Sequence, residues 1–195
     1  MTLLRLSLTL AVAGMLAPAM PAAAGQSKKP TAPETITANA QLAGDTGSVA
    51  SRVTMKIDRY SPDADRNAVA DALKHGGYPG FLTALRKAPV VGSVTVAGQS
   101  VDIRWAREEP VANGRSIVLI TDKPMYFVGG GSTTAKPRAG YEVGVVQFTI
   151  DDSGLGVKGT MAAAARVKPG GATGVQLDDY AEKPIQLQGI NRTIQ

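Results

Sequence analysis

The chain has 195 residues, a formal net charge of +5 and 44% hydrophobic residues, which suffices for one domain with a substantial core. It contains no cysteine and a single histidine, which excludes disulfides, thiol catalysis, iron–sulfur clusters and a histidine-rich zinc site. No lysine or arginine cluster is interleaved with aromatic residues, so we expect no nucleic-acid partner.

The first 24 residues have the pattern of a secretory signal peptide. Arg5 is the only charge before Lys28, Leu6 to Leu16 is apolar, and Ala22 to Ala24 supplies an Ala-x-Ala end. The apolar run is too short to cross ~30 Å of hydrocarbon. We therefore predict cleavage after Ala24, a bacterial protein that is periplasmic or secreted, and no transmembrane segment in the mature chain.

After the signal peptide, residues 25–50 are rich in Ala, Thr, Pro and Gly without a stable period, which predicts a flexible N-terminal segment. Residues 51–195 are predicted to form a single β-rich domain. Its first strand, Arg52 to Arg59, alternates apolar and polar residues. Ser61 is then expected to cap a helix that ends at Gly76-Gly77, and a second short helix runs from about Pro79 to Ala88.

From Val90 onward the chain reads as strands. The pattern of Val101 to Pro124 predicts a hairpin. Val101, Ile103 and Trp105 alternate with polar residues, which predicts that these three side chains share one face of a strand. Ser116 to Thr121 is an apolar run typical of a strand buried on both faces. About eight strands at hairpin spacing predict an α+β, mainly β fold. We expect an antiparallel sandwich or partly open barrel with an inserted pair of short helices.

Three blocks of this sequence together resemble a family of uncharacterised exported bacterial proteins. They are Arg59-Tyr60-Ser61-Pro62-Asp63-Ala64-Asp65-Arg66, Val101-Asp102-Ile103-Arg104-Trp105-Ala106 and Ile117-Val118-Leu119-Ile120-Thr121-Asp122-Lys123-Pro124. Leu73-Lys74, Gly76-Gly77, Leu82 and Ala84-Leu85 add to the likeness, which covers most of the chain from about Val53. The family has no assigned activity. The resemblance therefore implies export and a single domain, and it carries over no catalytic residue.

The residues offer little for catalysis. His75 lies in the predicted last turn of a helix, where a charge partner for the helix dipole belongs, and no Gly-x-Ser-x-Gly elbow accompanies it. The adjacent acids Glu108-Glu109, Asp151-Asp152 and Asp178-Asp179 lie beside turns or strand ends, where carboxylates are usually solvated. Asp102 shares a strand face with Arg104, which predicts an ion pair.

We therefore expect a non-enzymatic binding or interaction protein of the envelope that needs no cofactor and no metal. The alternative is a periplasmic hydrolase that uses carboxylates, which would need two acids converging in a pocket. Candidate residues for an apolar or amphipathic envelope molecule are Trp105, Phe81, Leu85 and Phe148. An envelope protein could instead bind the glycine-rich loop Gly129 to Gly140, where Lys136 and Arg138 would favour an anion.

Overall fold

The computed structural model of the chain describes residues 32–44, 47–126, 136–171, 174–181 and 183–194. Within these ranges the chain forms nine strands and one helix. They are β1 (Glu34–Gly44), β2 (Gly47–Ile57), α1 (Asp63–Lys87), β3 (Gly92–Val96), β4 (Gln99–Val111), β5 (Gly114–Thr121), β6 (Val143–Ile150), β7 (Gly156–Pro169), β8 (Val175–Tyr180) and β9 (Ile185–Ile194). The predicted signal peptide, residues 1–24, lies outside the described residues.

The strands form a closed antiparallel barrel. The order β6-β5-β4-β3-β2-β1-β9-β7 returns to β6 through the β6–β7 pairing, and β8 is an extra strand hydrogen-bonded to β7. Eight strands therefore enclose one core, and β8 lies outside the ring, paired with β7. The prediction of a mainly β fold with a barrel is confirmed.

The prediction that residues 25–50 form a flexible segment is wrong for most of that range. Glu34–Gly44 is β1, which pairs along its length with β2 and over most of it with β9. Ile36, Ala38 and Ala40 alternate inward from this strand. Ala38 and Ala40 are small, so the apolar pattern was too weak for the sequence to indicate a strand, although the period of two is present.

The barrel interior is filled by the inward-facing residues of all the ring strands. The largest fully buried members of this cluster are Ile36, Met55, Ile57, Ile103, Ile117, Leu119 and Met125. A second apolar cluster lies on the outer face of the ring, between α1 and strands β4 to β8. Its buried members are Val69, Leu73, Phe81, Leu85, Trp105, Ile120, Val143, Val145, Ala162, Ala165, Val167 and Val175. The second half of β5 is therefore buried on both faces, as the apolar run predicted.

A β-bulge in β4 overturns the predicted alternation of this strand. Ile103 lies opposite Thr121 and Trp105 lies opposite Ile120, so Arg104 is the extra residue. Ile103 therefore faces the interior, whereas Trp105 faces α1 on the outside. The prediction that Ile103 and Trp105 share a face is wrong because one inserted residue reverses the alternation beyond it.

The helix α1 is broken in the middle. Gly77 has φ 61° and ψ −162°, a conformation that is essentially restricted to glycine, and Pro79 follows two residues later. The predicted pair of short helices is thus one element with a break at the predicted glycine. Ser61 does not cap it: Pro62 occupies the N-cap position, and the Ser61 hydroxyl contacts β4 instead. Among the described residues, no helix has the length and apolarity needed to span a membrane.

Candidate functional site

Three of the four predicted ligand-binding residues meet in the layer between α1 and the barrel. Phe81 and Leu85 come from the second half of the helix and are fully buried, and Trp105 of β4 is 1% exposed. Tyr78 packs beside Phe81 with ring centres 5.8 Å apart. These residues belong to, or pack against, the apolar cluster on the outer face of the ring. We call that cluster the helix–barrel layer.

Phe148, the fourth predicted residue, is not part of the helix–barrel layer. It faces the barrel interior from β6, opposite Gly159 of β7. A Cβ added to Gly159 would lie 2.8 Å from the Phe148 Cβ and 2.9 Å from Ile190 Cδ1, so a larger residue there would require its neighbours to shift. The sheet separates Phe148 from Trp105, because the bulge at Arg104 turns Trp105 outward.

The helix–barrel layer contains two buried polar atoms without a hydrogen-bond partner among the described residues. One is the indole Nε1 of Trp105 and the other is Oε2 of Glu142. Burial of an unpaired polar group costs about 1–3 kcal/mol, and such groups in native proteins are often functional. Sequence reasoning missed Glu142, because a lone acid before a strand gives no pattern.

Glu142 is connected to the helix break. Its backbone amide donates to the Tyr78 hydroxyl over 2.9 Å, which fixes the segment immediately after Gly77. Burial raises the pKa of Tyr78, and the neighbouring Glu142 carboxylate also raises it. The phenol therefore stays protonated and can donate a hydrogen bond throughout the physiological pH range.

The far end of the same helical segment is held by Arg104, the bulged residue of β4. Its Nη1 donates to the Ala88 carbonyl over 2.9 Å, and its Nε donates to Asp122 Oδ2 over 3.2 Å. Its Nη2 lies 3.5 Å from Asp102 Oδ2, so the predicted ion pair between Asp102 and Arg104 is confirmed. The segment from Tyr78 to Lys87 is thus attached to the barrel by polar contacts at both ends, to Glu142 and to Arg104, with apolar contacts between them.

A second cluster of charged residues closes one end of the barrel. The fully buried Glu34 accepts hydrogen bonds from Arg115 and from the Tyr60 hydroxyl, and Arg192 Nε lies 3.0 Å from Glu34 Oε2 without hydrogen-bond alignment. Arg115 Nη1 also donates to Glu108 Oε2 over 2.6 Å. Two carboxylates and two guanidinium groups therefore balance in charge.

This charged cluster resembles the paired acids that a hydrolase would need, but each acid already has a cationic partner. Burial lowers the pKa of Arg115, yet its hydrogen bonds to Glu34 and Glu108 outweigh that effect and the net shift is upward. Burial and the Glu34 charge raise the pKa of Tyr60. The arrangement is that of a buried ion network that holds β1, β4, β5 and β9 in register. Sequence reasoning missed it because Glu34 was assigned to a flexible segment.

The predicted anion-binding loop is only partly described, since residues 127–135 lie outside the described ranges. Lys136 is exposed. The Arg138 guanidinium carbon lies 4.8 Å from the centre of the Tyr141 ring, and that of Arg166 lies 5.4 Å from it. The Tyr141 hydroxyl donates to Asp179 over 2.6 Å. Arg138 is therefore stacked at the base of the loop, and the structure does not bring it into the helix–barrel layer.

Asp151, Asp178, Asp179 and the single histidine make contacts within the fold that need no catalytic role. Lys168 and Arg166 hold the pKa of Asp178 below its usual range, and the Tyr141 hydroxyl does the same for Asp179. Ser153 and backbone amides lower the pKa of Asp151 within its turn. His75 is exposed, with Nδ1 2.9 Å from the Asp71 carbonyl oxygen. In the described part of the chain no three His, Cys, Asp or Glu residues are grouped so that they could hold a metal ion.

No protein-family model matches the chain, and searches of curated proteins and of solved structures found no match.

Proposed function

We propose that the protein is an exported, non-enzymatic binding protein of the bacterial envelope, and that an apolar or amphipathic molecule binds in the helix–barrel layer. The observation that carries the proposal is the Trp105 indole, which is 1% exposed and has no acceptor for its N–H among the described residues. A ligand with an oxygen atom near this group would supply the missing acceptor. Apart from Glu142, the remaining walls of the layer are apolar, as in most small-molecule sites.

For a ligand to enter the helix–barrel layer, the second half of α1 must move away from the barrel. Gly77 permits such a motion, because its backbone already has a conformation outside the helical region. Among the described residues, hydrogen bonds to Glu142 at one end and to Arg104 at the other connect the segment Tyr78 to Lys87 and its C-cap to the barrel. A ligand would stabilise the displaced form by covering Trp105, Phe81 and Leu85 again.

The hydrolase alternative receives less support. A general acid at neutral pH needs a raised pKa, whereas the pKa values of Asp151, Asp178 and Asp179 are lowered by their hydrogen-bond partners. The buried acids Glu34 and Asp122 each have an arginine partner. The signal peptide pattern supports export to the periplasm or beyond.

The test uses Trp105 as the only tryptophan in the chain. We expect 1-dodecanol to change Trp105 emission saturably and to raise the melting temperature, and dodecane, which has no acceptor, to bind more weakly. Trp105→Phe removes the N–H donor, so the preference for dodecanol, followed by melting temperature, should disappear. Phe148→Leu, in the separate barrel core, should retain the preference even though it lowers stability.

The proposal fails if neither compound changes the emission or the melting temperature. It also fails if the purified protein shows a hydrolytic activity that is lost in Glu34→Gln or Glu108→Gln while the protein stays folded. Loss of the melting transition in EDTA would contradict the expectation that no metal is needed.

A further inference from the structure

Glu142 places a carboxylate at the edge of the helix–barrel layer. It directly precedes β6, whose first residue, Val143, is a fully buried member of the layer. Glu142 as a whole is half-buried, but its Oε2 is buried and accepts no hydrogen bond from the described residues. A buried acceptor without a donor is costly. The carboxylate therefore has an acceptor site that no described group of the protein uses.

The neighbours of Glu142 on α1 lie on the segment that must move for a ligand to enter. Tyr78 hydrogen-bonds both to the backbone and to the side chain of Glu142. Arg86, which acts on Tyr78 through its charge, is exposed and belongs to the same half of α1. Because both residues follow the break at Gly77, the movement that opens the layer separates them from Glu142. The open form then needs a new donor at this carboxylate.

Trp105 and Glu142 lie at two ends of the layer. Trp105 of β4 is opposite Ile120 of β5, and Ile120 is opposite Val145 of β6, three residues after Glu142. Strands lie about 4.8 Å apart and rise about 3.3 Å per residue, so the Cα atoms of Trp105 and Glu142 are roughly 14 Å apart. Ile120 and Val145 are buried and apolar. A ligand that spans the layer therefore meets a donor without an acceptor at one end and an acceptor without a donor at the other.

A protonated amine suits Glu142 better than a neutral donor. Hydrogen bonds between charged groups are roughly twice as strong as neutral ones. Because Glu142 is only half-buried, an ammonium beside it keeps part of its water, which reduces the desolvation cost of the ion pair. We infer that the ligand of the helix–barrel layer is a long-chain amine whose ammonium donates to Glu142 and whose oxygen, toward the other end of the chain, accepts from Trp105. This inference rests on the proposed function and names the chemical class of the ligand.

The experiment compares probes that share one chain and differ at its far end. They are 1-dodecanol, 1,12-dodecanediol and 12-amino-1-dodecanol, each titrated at pH 7 below the concentration at which it aggregates, with Trp105 emission as the readout. An alkyl amine resembles the lysine side chain, whose pKa is about 10.4, so it is protonated at this pH. We expect the amino alcohol to bind about tenfold more tightly than dodecanol, the effect of one hydrogen bond to a charged group. The diol should lie between them.

Glu142→Gln keeps the shape of the side chain and removes its charge. In this variant the ammonium would be desolvated without a counter-charge, so dodecanol should bind more tightly than the amino alcohol. The Glu142 backbone amide that contacts Tyr78 is retained, so the variant should fold, which its melting temperature checks. Asp71→Asn removes the same charge from an exposed position on the first half of α1. It is the matched control and should leave the ratio of the two dissociation constants unchanged.

The outcomes separate this inference from the proposed function. If dodecanol binds but the amino alcohol binds no more tightly, or if folded Glu142→Gln keeps the wild-type ratio, the inference is wrong and the proposed function stands. An equal change of the ratio in Asp71→Asn would show a general effect of net charge and would also overturn it. Tighter binding of the diol than of the amino alcohol would contradict an amine at Glu142. If no probe changes Trp105 emission or the melting temperature, the proposed function itself fails.

Discussion

Ser61 and Ala106 exchange two hydrogen bonds, in which the Ser61 amide donates to the Ala106 carbonyl over 2.9 Å and the Ala106 amide donates to Ser61 Oγ over 3.0 Å. Ser61 is 3% exposed and Ala106 is fully buried. This pair joins the chain before α1 to β4, one residue beyond Trp105. It thereby fixes where the helix begins relative to the barrel.

Ser61→Ala should lower the free energy of unfolding by about 1–3 kcal/mol, because the buried Ala106 amide loses its acceptor. The measurement is urea unfolding followed by Trp105 emission. Ser93→Ala on β3 is a suitable control, since Ser93 is only partly buried and a change there is expected to stay within ~0.5 kcal/mol. Equal effects of the two substitutions would contradict the assigned role of Ser61.

The break in α1 gives a second matched pair. Gly77→Ala should destabilise the protein by about 1–3 kcal/mol, because alanine cannot adopt the observed backbone conformation without strain. Gly76 has no atom within 4 Å of an added Cβ and is not among the glycines with positive φ. Gly76→Ala should therefore be neutral or stabilise by up to about 1 kcal/mol. Thermal unfolding of both variants decides the matter, and a stabilising Gly77→Ala would show that the helix is continuous.

The buried ion network predicts a large effect for one substitution. Glu34→Gln leaves Arg115 and Arg192 inside the barrel without their shared carboxylate, which should cost about 3–5 kcal/mol. The control is Asp58→Asn, which removes a partner from the exposed Lys56–Asp58 pair and should cost less than about 1 kcal/mol. Comparable costs measured by chemical unfolding would mean that Glu34 is solvated in the folded state.

Acid should weaken the β7–β8 hairpin through Asp178. Lys168 and Arg166 lower the pKa of this carboxyl in the folded protein, so its contribution is present above the ordinary aspartate pKa of about 3.9 and is lost as the pH falls through the folded value. Asp178→Asn should therefore reduce stability at pH 7 and have little effect once both states are protonated. A stability difference between wild type and variant that is independent of pH would refute this assignment.

The sequence predicted the elements whose patterns are local. The hairpin from Val101 to Pro124 and the helix break at Gly77 follow from alternation, turn residues and glycine conformation, and the structure contains both. Val146, Phe148 and Ile150 of β6 likewise alternate in sequence, and all three face the barrel interior. At these positions the conformation of each residue is determined mainly by its near neighbours in sequence.

The errors arose where distant strands decide the local geometry. The bulge at Arg104 adds one residue to β4 relative to β5, and it moved Trp105 away from Phe148. A similar shift in β7 places Met161 and Ala163 inside the barrel but Ala165 outside, so a strict period of two does not hold along this strand. A bulge has no sequence signature of its own here, so only the partner strand reveals it.

The candidate site contains residues that local sequence patterns predict and residues that only the packing of distant elements brings together. Trp105, Phe81 and Leu85 were identified because an aromatic residue on a strand and an apolar helix face are readable patterns. Glu142 and Tyr78 could not be predicted, since their contact depends on how α1 lies against the barrel.

The barrel closes between the first and last strands described, with Glu34 paired to Ile194. Such distant pairings are slow to form, because the long intervening chain must first be brought together, and they place the protein among the slower-folding topologies. A newly made chain lacks its last ring strand until synthesis of β9 is complete. Until then the edges of β1 and β7 that β9 would cover remain open to other strands. The closed barrel thus depends on the ten residues of β9, and a chain that lacks this strand should aggregate rather than fold.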